Sequence, residues 1–315
     1  MIHVKHVGIC GSDLHFFQFG FSKKNLFPKI PCHECAGIVE ELGPGVEGLN
    51  PGDLVAVEPG VPCGTCEWCK RGEYNLCSRI SFLSAFLEDG CLCEYITHSA
   101  NFCYRLPSPI TTMQGALLEP FCVGLHAASR SGASFGKTAA ITGAGCIGLS
   151  VLMALRLSGM EEIYVSDCIP FRLKKAEIFG ARDAVNASQE NFAEEVLRKT
   201  DGRGVDICID TTGTEGGIFS LPSLCRPGGI CTIVGNLGRT APFDYYNFYE
   251  KELTVHSVFR YRNLYPAAIQ AVFSGTVKPE NMVTDIFPFN KAPEAFRHCI
   301  EDKDKTLKVI LELPD

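Results

Sequence analysis

The sequence predicts an α/β protein, with a doubly wound parallel sheet in the second half and a smaller β-rich region ahead of it. Three observations carry this expectation. From about residue 137 to 260, short apolar strands alternate with helices of roughly ten to twelve residues, the pattern of parallel pairing. Before residue 120 the chain runs in short β-rich pieces, such as Ala36–Glu40 and Asp53–Val57, broken by Gly and Pro and without a long helical period, an all-β pattern. The 315 residues, 46% of them hydrophobic, are enough for two domains with their own cores.

Taken in order, the second half should place strands near 138–142, 162–167, 205–210, 230–234 and 253–258, with helices at Pro170–Phe179 and Gln189–Lys199. Gly159 and Gly180 stand where helix C-terminal caps belong. Its first turn reads Thr142-Gly143-Ala-Gly145-Cys-Ile-Gly148, after an apolar strand and before an apolar helix. In such a turn Gly143 permits the tight bend, Gly145 admits a pyrophosphate, and Gly148 lets helix and strand approach, with the phosphates on the helix N-terminus. Asp167, twenty-four residues after Gly143, ends the next strand and suits the adenosine ribose hydroxyls. This is the Rossmann arrangement and points to NAD. A Gly-rich turn in a sheet that binds nothing, with Asp167 serving as a helix N-cap ahead of Pro170, is the plainer alternative. Thr138–Leu155 runs eighteen residues without a charge, near a membrane span in length, but its glycines and Thr142 read as buried strand, turn and buried helix.

Four cysteines fall within fifteen residues: Cys63-Gly-Thr-Cys66-Glu-Trp-Cys69 and then Cys77. Two-residue spacers present several thiolates to one point, so this run reads as a closed tetrahedral Zn2+ site that holds structure. Pro62, Gly64, Gly72 and Asn75 supply the loop that such a knuckle needs. Four unrelated thiols among the 17 cysteines, or an iron–sulfur cluster, are the alternatives. The net charge of -7 argues against nucleic acid and anionic membrane as partners, which leaves small molecules and protein subunits. Abundant, metal-spaced cysteine without a signal peptide suggests a reducing cytoplasm.

Outside the knuckle lie Cys10-Gly-Ser12-Asp13-Leu-His15, Pro31-Cys32-His33-Glu34-Cys35 and Leu117-Leu-Glu119-Pro120. Thiolate, imidazole and carboxylate from separated segments form the ligand set of an open, catalytic zinc. Singly, each has an ordinary reading: a core thiol, a hydrogen-bonded His, a surface turn.

With those motifs in view, the chain resembles the zinc-containing medium-chain alcohol dehydrogenases, and among them the sorbitol and xylitol (polyol) dehydrogenases. The matching stretches are Val7-Gly-Ile-Cys-Gly-Ser-Asp-Leu-His15, His33-Glu34-Cys-Ala-Gly37, Gly52-Asp-Leu-Val-Ala56, Gly115-Ala-Leu-Leu-Glu-Pro120, Gly143-Ala-Gly145 and Val258-Phe-Arg-Tyr261, in the family's order. The resemblance implies a GroES-like catalytic domain at 1–120, an NAD-binding Rossmann domain at 121–260, and a segment at 261–315 returning to the first. It implies Cys10, His33, Glu34 and Glu119 as ligands of a catalytic zinc, beside the structural zinc of Cys63, Cys66, Cys69 and Cys77. It makes Ser12 and His15 the start of a proton relay. Ile147, Asp167, Arg172, Val234, Val258, Phe259 and Arg260 then contact NAD, and Arg260 and Tyr261 contact the polyol. Adjacent residues of a strand face opposite ways, so His33 and Glu34 can share a metal only if the backbone bends there.

Three departures stand out. Cys32 replaces the family's glycine before His-Glu, which should set an oxidisable thiol beside the catalytic zinc. Phe16 replaces a substrate-contacting tyrosine. The family's chains also open with further strands, so the β-rich sheet should have a bare edge. The implied activity is hydride transfer from a secondary alcohol of a polyol to NAD, by a dimer or tetramer. Threonine or butanediol oxidation, or an idle, truncated zinc-binding relative, are the alternatives.

Overall fold

Residues 1–20, 29–85, 88–236 and 240–314 are described in a computed structural model. The chain divides into two units, Met1–Pro120 with Arg262–Asp315, and Phe121–Tyr261. The first segment carries β1 (Ile2–Gly8), α1 (Gly11–Phe19), β2 (Glu34–Val39), β3 (Leu54–Val57), β4 (Gly60–Val61), α2 (Glu67–Lys70), β5 (Ser81–Phe82), β6 (Tyr95–Ile96), β7 (Cys103–Arg105) and α3 (Thr112–Ala116). The helix α4 (Leu118–Arg130) leads into the second unit, built of β8 (Ala139–Thr142), α5 (Cys146–Leu157), β9 (Ile163–Asp167), α6 (Pro170–Ile178), β10 (Asp183–Asn186), α7 (Phe192–Lys199), β11 (Val205–Asp210), α8 (Glu215–Leu224), β12 (Cys225–Ile233), α9 (Tyr245–Glu250) and β13 (Thr254–Ser257). The return segment adds α10 (Tyr265–Phe273), β14 (Val283–Pro288), α11 (Ala292–Glu301) and β15 (Lys308–Glu312).

In the first unit the strand order is β14-β15-β1-β2-β3-β7, and β6 also pairs with β1. Val4, Val7, Val55, Val57 and Leu311 form its core. The described sheet is open, with β14 and β7 at the ends of its path, whereas β1 at the start of the chain is an interior strand, paired antiparallel with β15 and with β2. The return segment supplies that neighbour, and a local reading cannot see a partner some 300 positions away. The all-β pattern expected before residue 120 is corrected by three short helices among the described residues, α1, α2 and α3. Asp13, at the third position of α1, reaches back to accept the N–H of the N-cap Cys10 at 2.9 Å, and the helix's apolar residues follow no single stripe, which hid it from a periodicity search.

In the second unit six parallel strands run in the order β10-β9-β8-β11-β12-β13. Chain order reverses between β8 and β11, where open α/β sheets bind ligands at their strand C-termini. Gly159 (φ 81°) and Gly180 (φ 92°) take the left-handed conformation just past α5 and α6, as a C′ glycine should. The strand β10 was not foreseen, because four residues of mixed polarity carry little alternation. The helix α7 starts at Phe192 rather than Gln189, since the Asn191 side chain accepts the Ala193 and Glu194 amides and sets its N-terminus. The uncharged stretch 138–155 is β8, the glycine turn and most of α5. No helix among the described residues is long and apolar enough to cross a membrane.

Candidate metal centres and cofactor cavity

The knuckle is assembled by one tight loop. Gly64 (φ 69°) and Gly72 (φ 74°) take left-handed turns on either side of α2, and the sulfurs of Cys63, Cys66, Cys69 and Cys77 all lie within 4.8 Å of one another. Cys66 and Cys69 sulfurs are 3.3 Å apart, and those of Cys63 and Cys69 3.9 Å. A tetrahedral ion with ~2.3 Å bonds needs sulfurs about 3.8 Å apart, so the set fits zinc. The backbone and hydroxyl of Thr65 lower the Cys63 thiol to about 5, toward the thiolate a metal requires. The return segment braces this loop: Arg262 Nη1 donates to Asn75 Oδ1 at 3.0 Å, and the Asn263 N–H donates to the Tyr74 hydroxyl.

A second donor set lies at the start of β2. Cys10, His33 and Glu34 bring one thiol, one imidazole and one carboxylate within 4.8 Å of each other. The backbone bend demanded of consecutive His and Glu is present. Cys32 sits at φ 71°, in the left-handed region, and His33 precedes the first residue of β2, so the strict alternation of side chains does not apply to the pair. Asp13 holds this bend: its Oδ1 accepts the Cys32 N–H at 3.1 Å while Oδ2 accepts that of Cys10. One buried carboxylate thereby joins the two ligand-bearing segments. The Cys91 N–H donates to the Cys32 carbonyl at 2.9 Å from the other side.

The electrostatics fit a cation. Burial pushes the His33 imidazole down, but Cys10, Asp13 and Glu119 outweigh it and hold the ring well above its usual value, so the surroundings favour positive charge there. Glu119 is buried in the first turn of α4 but falls outside the three-donor set. Lys308 bonds both Glu34 oxygens, at 2.7 and 2.9 Å, in a buried pair. Each carboxylate oxygen retains a lone pair, so this pairing still leaves Glu34 able to ligate. Neither Asp13 nor Lys308 was assigned a site role from sequence; Asp13 lay inside the quoted motif, whereas nothing local marks Lys308.

Ser12 and His15 lie three residues apart on α1, the serine half-buried and the histidine exposed, on neighbouring turns of the same face. Phe16 lines an apolar cavity of about 210 Å³ together with Phe17, Pro31, Leu92 and Phe296. Cys32 corrects an expectation: its thiol is fully buried, and burial with the neighbouring Asp13 carboxylate pushes it well above the ordinary thiol range. A protonated, inaccessible sulfur is a poor target for peroxide.

In the second unit Gly143, Gly145, Asp167 and Arg172 line a cavity of about 840 Å³ with Thr142 and Thr212. Gly143 has φ 97°, and a Cβ on Gly148 would lie 2.0 Å from the Gly143 carbonyl, so both positions require glycine. At Gly145 an added Cβ would meet only Arg172, at 3.9 Å, which leaves the backbone open toward the cavity. Asp167 accepts the Ala144 N–H at 2.8 Å and the Ile169 N–H at 2.9 Å, with Arg172 Nη1 3.9 Å away. Ile147 lies in the first turn of α5, outside the cavity lining. Val234 and Val258 follow β12 and β13 and are bonded into the sheet through Asp210 and Ile233 carbonyls. Arg260 lies over the Phe259 ring at 4.6 Å, and Tyr261 is buried.

Comparison with known proteins agrees with this geometry. Residues 1–108 match the family model described as the alcohol dehydrogenase GroES-like domain, and residues 146–274 match that of the zinc-binding dehydrogenases. The chain is 37% identical to a sorbitol dehydrogenase of Bacillus subtilis over 314 residues, covering 99% of this chain and 89% of that one. It is 37% identical to human sorbitol dehydrogenase over 319 residues, covering 99% and 88%. A crystal structure of an Escherichia coli oxidoreductase/dehydrogenase of unknown specificity superposes with a TM-score of 0.96 at 37% identity, covering 100% and 91%. The chain therefore belongs to the zinc-containing medium-chain alcohol dehydrogenases and, within that family of enzymes, resembles the polyol dehydrogenases.

Proposed function

We propose that this enzyme oxidises a secondary alcohol of a polyol with NAD, and the observation that carries the reading is the convergence of Cys10, His33 and Glu34 on one point. Those three residues, with Glu119 nearby, would hold the catalytic zinc, and Cys63, Cys66, Cys69 and Cys77 the structural one. When bound, the catalytic zinc supplies Lewis acidity that lowers the pKa of a substrate hydroxyl, and NAD supplies the hydride acceptor.

The chain's own residues do the rest. Ser12 Oγ accepts the hydroxyl proton and passes it to His15, whose exposure lets it release the proton to water. Asp13 and Lys308 keep Cys10, His33 and Glu34 oriented. The Gly143–Gly148 turn would hold the pyrophosphate at the N-terminus of α5. Asp167 Oδ1 and Oδ2 each already accept one backbone N–H and keep a lone pair for a ribose hydroxyl. A 2′-phosphate there would face a like charge, and this favours NAD over NADP.

The test is NAD reduction by the zinc-loaded enzyme against sorbitol, xylitol, arabinitol, threonine and butanediol. Turnover should be fastest with one of the three polyols. A clear preference for threonine or butanediol would overturn the polyol reading, and no turnover by folded protein carrying two zinc ions would overturn the catalytic one.

A further inference from the structure

Seventeen positions separate Cys208 from Cys225 and six more reach Cys231, spacings without a metal-binding signature. The fold nevertheless brings their three sulfurs within 4.8 Å of one another. Cys208 on β11 and Cys231 on β12 are direct cross-strand partners, so their side chains stand side by side on one face of the sheet. Cys225 opens β12 at a register shift, and the chain makes room for its sulfur at Gly229, where an added Cβ would lie 2.4 Å from Sγ.

All three residues are fully buried, among Ala140, Val205, Leu221, Leu224 and Phe248. Among the described residues no carboxylate or imidazole joins this donor set. The Lys251 ammonium is held nearby, donating to the Pro222 and Cys225 carbonyls at 2.7 and 2.9 Å.

We infer that Cys208, Cys225 and Cys231 form a buried three-thiol site for a soft, three-coordinate thiophile, specifically trivalent arsenic presented as arsenous acid. Softness follows from an all-sulfur donor set. The choice among soft centres follows from charge and ligand number. Three thiolates around a monovalent cation would leave two negative charges, more than the one Lys251 ammonium offsets in an apolar core, and a divalent ion such as zinc takes four ligands where this set offers three. Arsenous acid instead exchanges its three hydroxyls for three thiols: three S–H and three As–O bonds break, three As–S and three O–H bonds form, and three waters leave. Nothing is oxidised or reduced, and the adduct is neutral. The cross-strand pair and Gly229 hold the sulfurs together beforehand, so little ordering is left to pay on binding. Because the sulfurs have no exposure, uptake requires local opening of the β11–β12 pairing and should be slow.

The experiment uses zinc-loaded protein, so that the knuckle and the three-donor site are occupied, incubated with arsenite and examined by native mass spectrometry. One adduct per chain, corresponding to one arsenic less three hydrogens, should appear in the wild type, and its yield should fall at least tenfold in both Cys208→Ala and Cys231→Val. Hydrogen exchange on the wild type gives a reading independent of whether those variants fold: arsenite should slow exchange of β11 and β12 amides. No adduct, an equal adduct in folded variants, or protection confined to residues 63–77 would each overturn the inference. These readouts need no turnover, so they stand apart from any failure to find a substrate.

Discussion

At the residue scale, two side chains decide more than their neighbours. Asp167 ends β9 with both oxygens oriented by backbone amides, so it is positioned before any cofactor arrives. Asp167→Ser should raise the KM for NAD and erode a cofactor preference of roughly a hundredfold in kcat/KM. Steady-state kinetics with NAD and NADP checks this, and wild-type use of both within about threefold would remove Asp167 from the ribose. Cys32 is fully buried in a left-handed conformation, φ 71°. Such a backbone costs an L-residue about 1–2 kcal/mol, close to what loss of a small buried side chain and the added freedom of glycine would take away. Cys32→Gly should therefore change unfolding free energy by less than about 1 kcal/mol, whereas Cys32→Val, β-branched at positive φ, should cost clearly more. Urea midpoints of the two variants measure the contrast.

At the element scale, the second sheet is tied at its N-terminal end by Asp206 on β11. Its Oδ2 accepts the Thr138 amide at 2.9 Å and the Thr138 hydroxyl at 3.0 Å, just ahead of β8. Its Oδ1 accepts Arg226 Nε at 2.6 Å from β12, and Arg203 Nη2 at 3.1 Å. Burial opposes the charge, but these donors outweigh it and hold the carboxyl down at about 2. A folded-state value below the unfolded one means that the stabilisation is complete above about pH 4 and is lost as pH falls through about 2. It amounts to about 2 kcal/mol. Asp206→Asn should lose about that much at pH 7 and show a shallower decline between pH 4 and 2. Urea titrations at several pH values test both the size and the sign, and an unchanged acid slope would remove Asp206 from the account.

At the scale of the whole molecule, two donor sets of different character predict two zinc ions per chain. Cys66→Ser should leave one, lower the thermal midpoint by about 5 °C or more, and retain turnover in whatever folds. Cys10→Ser should also leave one, with the knuckle intact and turnover abolished. Metal analysis of folded, active wild-type protein returning a single zinc would contradict this division.

How much could be read in advance follows from how far apart the cooperating residues lie. The knuckle sulfurs share one short loop, so their spacing alone placed them together, and the glycine turn at 143–148 was legible because strand, turn and helix are consecutive. The family motifs were legible as strings of residues, and Cys10, His33 and Glu34 were named from them. Their convergence depends on the pairing of β1 with β2, on the left-handed Cys32 and on the Asp13 carboxylate between them. Lys308 beside Glu34, and the cluster of Cys208, Cys225 and Cys231, gave no local signal at all. Helical and strand periods report which face of an element is buried, but register and strand order decide what it is buried against. Local patterning therefore determined the elements and the short-range ligand loop, whereas the tertiary pairing of distant strands decided which charges, amides and thiols meet.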